Sequence, residues 1–197
     1  MVTPEQTAIM AAAAEAAAAR AVPRPSLEAI WRALSAVVDP EIPVVSIVEL
    51  GIVRDVQWDQ VNPAALVVRV TPTYSGCPAT ELINEGIRGA MSALGVAEVR
   101  VETRLAPAWT TDWIVPEAKR KLREYGIAPP HAADAATAAV PVDVSGLRPL
   151  RRKAPVVPCP RCGSEHTELV AQFGSTACKA QYRCTDCREP FDYFKPH

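Results

Sequence analysis

"GSTACKAQYRCTDC", residues 174–187, holds three cysteines, and two of them, Cys184 and Cys187, stand at C-x-x-C spacing. "CPRC" at 159–162 supplies the same spacing through Cys159 and Cys162, with 21 residues between the two pairs. That interval is slightly beyond the roughly 15–20 usual for a four-cysteine metal site. In C-x-x-C the backbone curls so that both sulfurs face one ion at about 2.3 Å. Gly163 after the first pair lets the chain turn back through a left-handed conformation. Two such knuckles make a tetrahedral four-thiolate site with no open position, which is a structural site. A unit of about 40 residues cannot bury enough surface to fold unaided, so the metal supplies the missing stability. Zn2+ is the expected ion; iron in a rubredoxin-like site is the competitor, since it uses the same four thiolates. "HTELVAQF", "KAQYRC" and "PFDYFK" read as the three short strands of a zinc ribbon.

Cys178 is left over. It precedes Cys184 by six residues, which at about 3.3 Å per residue places it up to ~20 Å from the metal, near the far tip of the ribbon. Two readings stay open. One is a small buried filler. The other is a thiol held out for a partner, a transient cluster or a mixed disulfide.

Upstream, the pattern is that of a small α+β unit. "SLEAIWRALSAVVDPE" puts Leu27, Ile30, Trp31, Leu34, Val37 and Val38 on one helical face, with Ser26 as N-cap and Asp39-Pro40 as the stop. "SIVELGIVRDVQWD" and "AALVVRVTPT" form a hairpin around "DQVNPA". "CPATELINEGIRGAMSAL" is a second helix through Leu82, Ile83, Ile87, Met91 and Leu94. "AEVRVETRLA" is a half-buried strand, and "DWIVPEAKRKLREYGI" a third helix with Asp112 as its cap and Pro116 in its first turn. The order α-β-β-α-β-α gives a three-stranded sheet with packed helices. The expected organisation is an alanine-rich tail at 1–25, the α+β domain at 26–127, an alanine- and proline-rich linker at 128–157 and the ribbon at 158–197.

Composition narrows the setting. The chain has 197 residues, 49% of them hydrophobic, enough for one or two domains. No apolar run approaches the roughly 18 residues of a spanning helix. The start, "MVTPEQTAIMAAAAEAAAAR", lacks a basic region, and Glu15 interrupts its alanines, so it reads as a helical tail and not an export leader. The expected compartment is the cytoplasm, where cysteine clusters indicate metal or redox chemistry. Residues 1–147 carry a net −5 and residues 148–197 a net +4. The acidic first part argues against a general nucleic-acid binder and leaves that role open only for the basic ribbon.

In "TPTYSGCPAT", Cys77 precedes Pro78 at the start of the second helix. As N-cap it would meet the helix's partial positive charge, which favours the thiolate; a buried structural cysteine is the equal alternative. Asp39 and Glu41 are either a helix-ending turn or paired carboxylates at a metal. Trp109 and Trp113 read as anchors of the core more than as a ligand box. No Glu-x-x-His pair or glycine-rich dinucleotide fingerprint is present.

Asp39-Pro40-Glu41, Leu50-Gly51-Ile52-Val53, the turn from Thr73 to Cys77-Pro78 and Pro107-Ala108-Trp109 together resemble the motifs of the MIP18/DUF59 family, which includes SufT-like proteins. The likeness covers about residues 26–127. Its family members assist iron–sulfur protein maturation, which implies a cluster-related role for Cys77, with Asp39, Glu41, Thr73 and Trp109 as possible support. The whole chain beyond its alanine-rich start, including "GSTACKA" and "EPFDYFK", resembles the D-subunit family of the phenylacetyl-CoA epoxidase system of aerobic phenylacetate breakdown. That resemblance implies an accessory subunit with no substrate turnover of its own. Its partners would be the diiron oxygenase or the iron–sulfur reductase of the complex. Two cysteines left over beside a complete four-cysteine set point to Cys77 and Cys178 as functional thiols, brought together within a possible homodimer or by the flexible linker, with a transient iron–sulfur cluster as what they would handle.

Overall fold

The computed structural model describes residues 24–130 and 155–196. The alanine-rich start and most of the expected linker, including "RPLRRK", lie outside the described residues.

Helix α1 (Leu27–Leu34) is capped by Ser26, whose side chain accepts from the Ala29 backbone N–H. It buries Ile30 and Leu34 and stops five residues before Asp39. Val37 and Val38 are therefore not on its face: Val38 is 48% exposed and bridges to Ser46. Two β-branched residues before a proline favour extended backbone, which is why the helix ends early.

Strands β1 (Val53–Trp58) and β2 (Ala65–Val70) form the expected antiparallel hairpin. Helix α2 (Thr80–Ala93) then crosses to β3 (Glu98–Thr103), which pairs parallel with β2. The crossover puts Ile83, Ile87 and Met91 into the core and leaves Leu82 largely exposed. The next turn is 3-10 at Thr111–Trp113. There the Thr110 side chain, and not that of Asp112, caps the segment. Helix α3 (Pro116–Tyr125) starts on Pro116 and ends on Gly126 at φ 98°, a left-handed stop suited to glycine. Gly51 has a second reason to be glycine. Its φ is 69°, and a Cβ there would lie 2.6 Å from the Trp113 Cβ.

The ribbon strands are β5 (Thr167–Ala171), β6 (Lys179–Cys184) and β7 (Pro190–Phe194), antiparallel in sequence order. Gly163 adopts φ 77°, as the knuckle requires. The sheet has four strands and not three. Residues Ile127–Ala128, expected at the edge of the linker, form β4 and pair parallel with Asp192 and Tyr193 of β7. The ribbon is thus joined to the α+β unit by main-chain hydrogen bonds and does not hang free of it. Side chains complete the junction. Phe194 and Cys178 belong to the same buried cluster as Ile30, Leu50 and Leu122. The Phe194 ring lies 6.0 Å from that of Trp109, and Trp109 Nε1 donates to the Leu50 carbonyl at 2.9 Å. Trp109 is an anchor, as its spacing from Trp113 suggests; Trp113 stacks under the Arg54 guanidinium.

Phe194→Ala should cost about 3–5 kcal/mol in urea unfolding and speed amide exchange in β4 and β7. Glu49 ties α3 to the loop before β1. Burial pushes its carboxyl up, but hydrogen bonds from Lys121 at 2.6 Å and the Ser46 N–H at 2.8 Å outweigh this and hold it below the usual range. A lowered folded value means stability present above the unfolded pKa of about 4.3 and lost as the pH falls through the folded value. Glu49→Gln should therefore cost about 1 kcal/mol at pH 7, a deficit that closes as the pH falls through the folded value.

Candidate functional site

At one end of the ribbon, Cys159, Cys162, Cys184 and Cys187 bring their sulfurs within 4.8 Å of one another. Cys159 Sγ lies 3.8 Å from Cys187 Sγ, and Cys162 Sγ lies 3.6 Å from Cys184 Sγ. A tetrahedron with metal–sulfur bonds of about 2.3 Å has edges of about 3.8 Å, so the four thiols fit one ion. Backbone N–H groups of Ser164, Asp186 and Glu189 point at the sulfurs of Cys162, Cys184 and Cys187. These donors favour the thiolate form that a metal needs.

The second constellation lies at the other end, where the ribbon tip meets the α+β unit. Cys178 is at that tip as its distance from Cys184 predicts, but it is buried, 5% exposed. The Thr176 hydroxyl stands 3.0 Å from Cys178 Sγ and also faces the Glu41 carboxylate. On the α+β side, Tyr74 feels the charges of Cys77, Cys178 and Glu41; burial foremost, then these charges, pushes its hydroxyl up to about 12. Folding therefore gathers Glu41, Cys77 and Cys178 near Tyr74, with Asp39 close to both cysteines, although 101 positions separate the two.

Local turns set each side chain. Asp39 Oδ1 accepts from the N–H groups of Glu41 and Ile42, both at 2.9 Å, so Asp39-Pro40-Glu41 is a hydrogen-bonded turn. Cys77 is not an N-cap, because α2 begins at Thr80 and Ala79 stands before it. It lies in the preceding turn, where its carbonyl accepts from the Thr80 hydroxyl at 2.8 Å and its sulfur faces the Ala79 N–H. Thr73 is half-buried in the same turn.

Electrostatics contradict the activated thiolate that an N-cap position would give. Burial raises the Cys77 thiol, the Ala79 N–H opposes this in part, and Glu41 and Asp39 add to the rise. Burial likewise raises Cys178, Asp39 and Glu41. Lys179, 4% exposed and 3.6 Å from the Asp192 carboxylate, offsets part of the negative charge. Burial is the foremost cause of the rise at all four of these acids, Cys77, Cys178, Asp39 and Glu41. Glu41 and Lys179 also border an open cleft of about 420 Å3 along β4, β6 and β7. Sequence reasoning missed Tyr74, Thr176 and Lys179. Nothing in their spacing marks them, since their places depend on the junction.

Comparison with known proteins follows this division. A family described as "PaaD zinc beta ribbon domain" matches residues 145–195, and one described as "Iron-sulfur cluster assembly protein" matches residues 27–102. An Escherichia coli (strain K12) protein, provisionally named as the D-subunit of 1,2-phenylacetyl-CoA epoxidase, is 52% identical over 171 residues, 87% of this chain and 93% of that protein. The chain belongs to the phenylacetyl-CoA epoxidase D-subunit family. Among solved structures, a DUF59 domain from Bacillus anthracis is 33% identical over 47% of this chain and 87% of its own, at a TM-score of 0.43. The conserved hypothetical protein TM0487 from Thermotoga maritima is 31% identical over 51% of this chain and 97% of its own, also at 0.43. Among the described residues of this D-subunit family member, no helix is long and apolar enough to cross a membrane.

Alkylation by iodoacetamide near pH 7.5 should be slower at Cys77 and Cys178 than at a free peptide cysteine. Glu41→Gln should speed it at both, because it removes a negative charge that disfavours each thiolate. Mass spectrometry of the labelled peptides reads each rate.

Proposed function

We propose that this protein is a cytoplasmic accessory subunit of a phenylacetyl-CoA epoxidase system and assists maturation of an iron–sulfur or other metal centre in a partner subunit. The client is the diiron oxygenase or the iron–sulfur reductase of that complex. The observation that carries the reading is the junction, where Cys178 of the ribbon and Cys77 and Glu41 of the α+β unit lie near Tyr74, and Asp39 lies near both cysteines. Thiols beside carboxylates suit iron, or a transient iron–sulfur cluster, as cargo.

In this proposal the chain has two domains, 26–127 and 158–197, and four of its six cysteines are structural. Cys159, Cys162, Cys184 and Cys187 hold a resident Zn2+, which supplies no chemistry beyond folding the ribbon. Once folded, the ribbon carries Cys178 to the junction. Thr73 and Trp109 act indirectly, Thr73 through the turn that holds Cys77 and Trp109 through Phe194. A homodimer is not needed to bring Cys77 near Cys178, since one chain does so. The relative's name and the match to an iron–sulfur assembly family support the same reading.

The test is to produce the client subunits together with the wild-type chain, Cys77→Ser, Cys178→Ser or the double variant, and measure iron and sulfide per client. Each substitution should lower client metal several-fold while the variant keeps its zinc and its melting temperature. Unchanged client metal with both serine variants would remove the maturation role.

A further inference from the structure

Among the described residues, two buried side-chain polar atoms have no hydrogen-bond partner, Asn84 Oδ1 and Thr111 Oγ1. Asn84 is 7% exposed and lies on the buried face of α2 beside Ile83 and Ile87. An amide oxygen left unpaired there is destabilising, and a leucine would fill the place without that cost. Asn84 lines a cavity of about 20 Å3 whose other polar walls are Asp39, Thr73, Cys77 and Thr80. Asp39 Oδ1 is already used by two backbone N–H groups, which leaves the other oxygen of that carboxylate for a further partner. The Thr80 hydroxyl is committed to the Cys77 carbonyl. The cavity is therefore lined by residues that bring a carboxylate, an amide, a thiol and the Thr73 hydroxyl, with apolar residues between them.

We infer that Asp39, Cys77 and Asn84 form a seat for a single divalent transition-metal ion, of which ferrous iron is the cargo class. This rests on the maturation reading and makes it more specific. Size decides between ion and cluster. A cavity needs about 10–15 Å3 to hold one water-sized species, so this one takes one ion and not a multi-atom iron–sulfur cluster. Chemistry decides the class. Soft copper(I) prefers sulfur throughout, and calcium or magnesium prefer oxygen throughout; a mixed oxygen–sulfur set suits ferrous, cobaltous or zinc ions. On binding, the Cys77 S–H bond breaks, its electron pair forms the metal–thiolate bond, and the proton leaves to solvent. No electron transfer is involved. Glu41 faces both Cys77 and Cys178 without lining the cavity, so an ion leaving the seat would meet that carboxylate next.

The probe is cobalt(II), added without oxygen to the zinc-loaded full-length chain and followed by thiolate-to-cobalt absorption. The wild-type chain should bind one cobalt with its zinc retained, and Cys77→Ser should lose the band. Asn84→Leu, similar in size but without an acceptor, should weaken binding about tenfold or more, and Asn84→Asp should preserve it. If Asn84→Leu fails to fold, Asn84→Ser, too short to reach the ion, carries the same expectation. Wild-type affinity in the Leu or Ser variant would overturn the seat while leaving the client-metal test of the maturation role untouched. A cobalt band that survives Cys77→Ser and appears only as zinc is released would place the metal in the four-cysteine site and also overturn it.

Discussion

The Phe194 ring packed beside Trp109 is the contact on which the rest of the arrangement depends. Two residues of β4 paired with β7 could not by themselves hold a ribbon against a second unit. Burial of Phe194 and Cys178 in the core shared with Ile30, Leu50 and Leu122 gives that pairing its apolar support. Trp109 is fixed in turn by its indole hydrogen bond to the Leu50 carbonyl. The last strand of the ribbon is thereby a wall of the α+β core, and the ribbon tip has a defined place beside Cys77.

That geometry divides labour among the cysteines by distance. The four that could surround a metal lie where the knuckles meet, and their spacing and backbone donors suit a closed, structural ion. Cys178 lies at the opposite end of β6, hydrogen-bonded to Thr176 and facing the carboxylates of the other unit. In the proposed scheme the resident metal acts at long range: it folds the ribbon, and the folded ribbon completes the junction. Around that junction burial raises the two thiols and the two carboxyls, and Lys179 offsets part of the rise at the carboxyls. In that scheme a metal ion bound by one of these thiols displaces its proton.

Much of this is legible in the chain. The two C-x-x-C pairs, the hairpin at β1 and β2, and the helical spacing of Ile83, Ile87 and Met91 are local patterns, and local patterns survive into the fold. The pattern misleads where tertiary contacts decide. The run through Val37 and Val38 continues the helical spacing of α1, yet its second valine bridges to Ser46. Cys77-Pro78 has the form of a helix start, yet α2 begins at Thr80, and burial with nearby carboxylates raises the thiol instead of activating it. Ile127–Ala128 is too short to show any period, and as β4 it joins the two units. Asn84 reads as one polar position in an amphipathic helix; only the packed structure shows it buried and unpaired.

Iron K-edge absorption on the zinc-loaded full-length chain with one equivalent of ferrous iron tests the account most directly. The account predicts a mixed first shell, with sulfur alongside lighter oxygen neighbours, and zinc still in place. A shell of four sulfurs with zinc released, or a shell of oxygens alone, would contradict it, because the metal would then be handled by the ribbon or by no thiol at all.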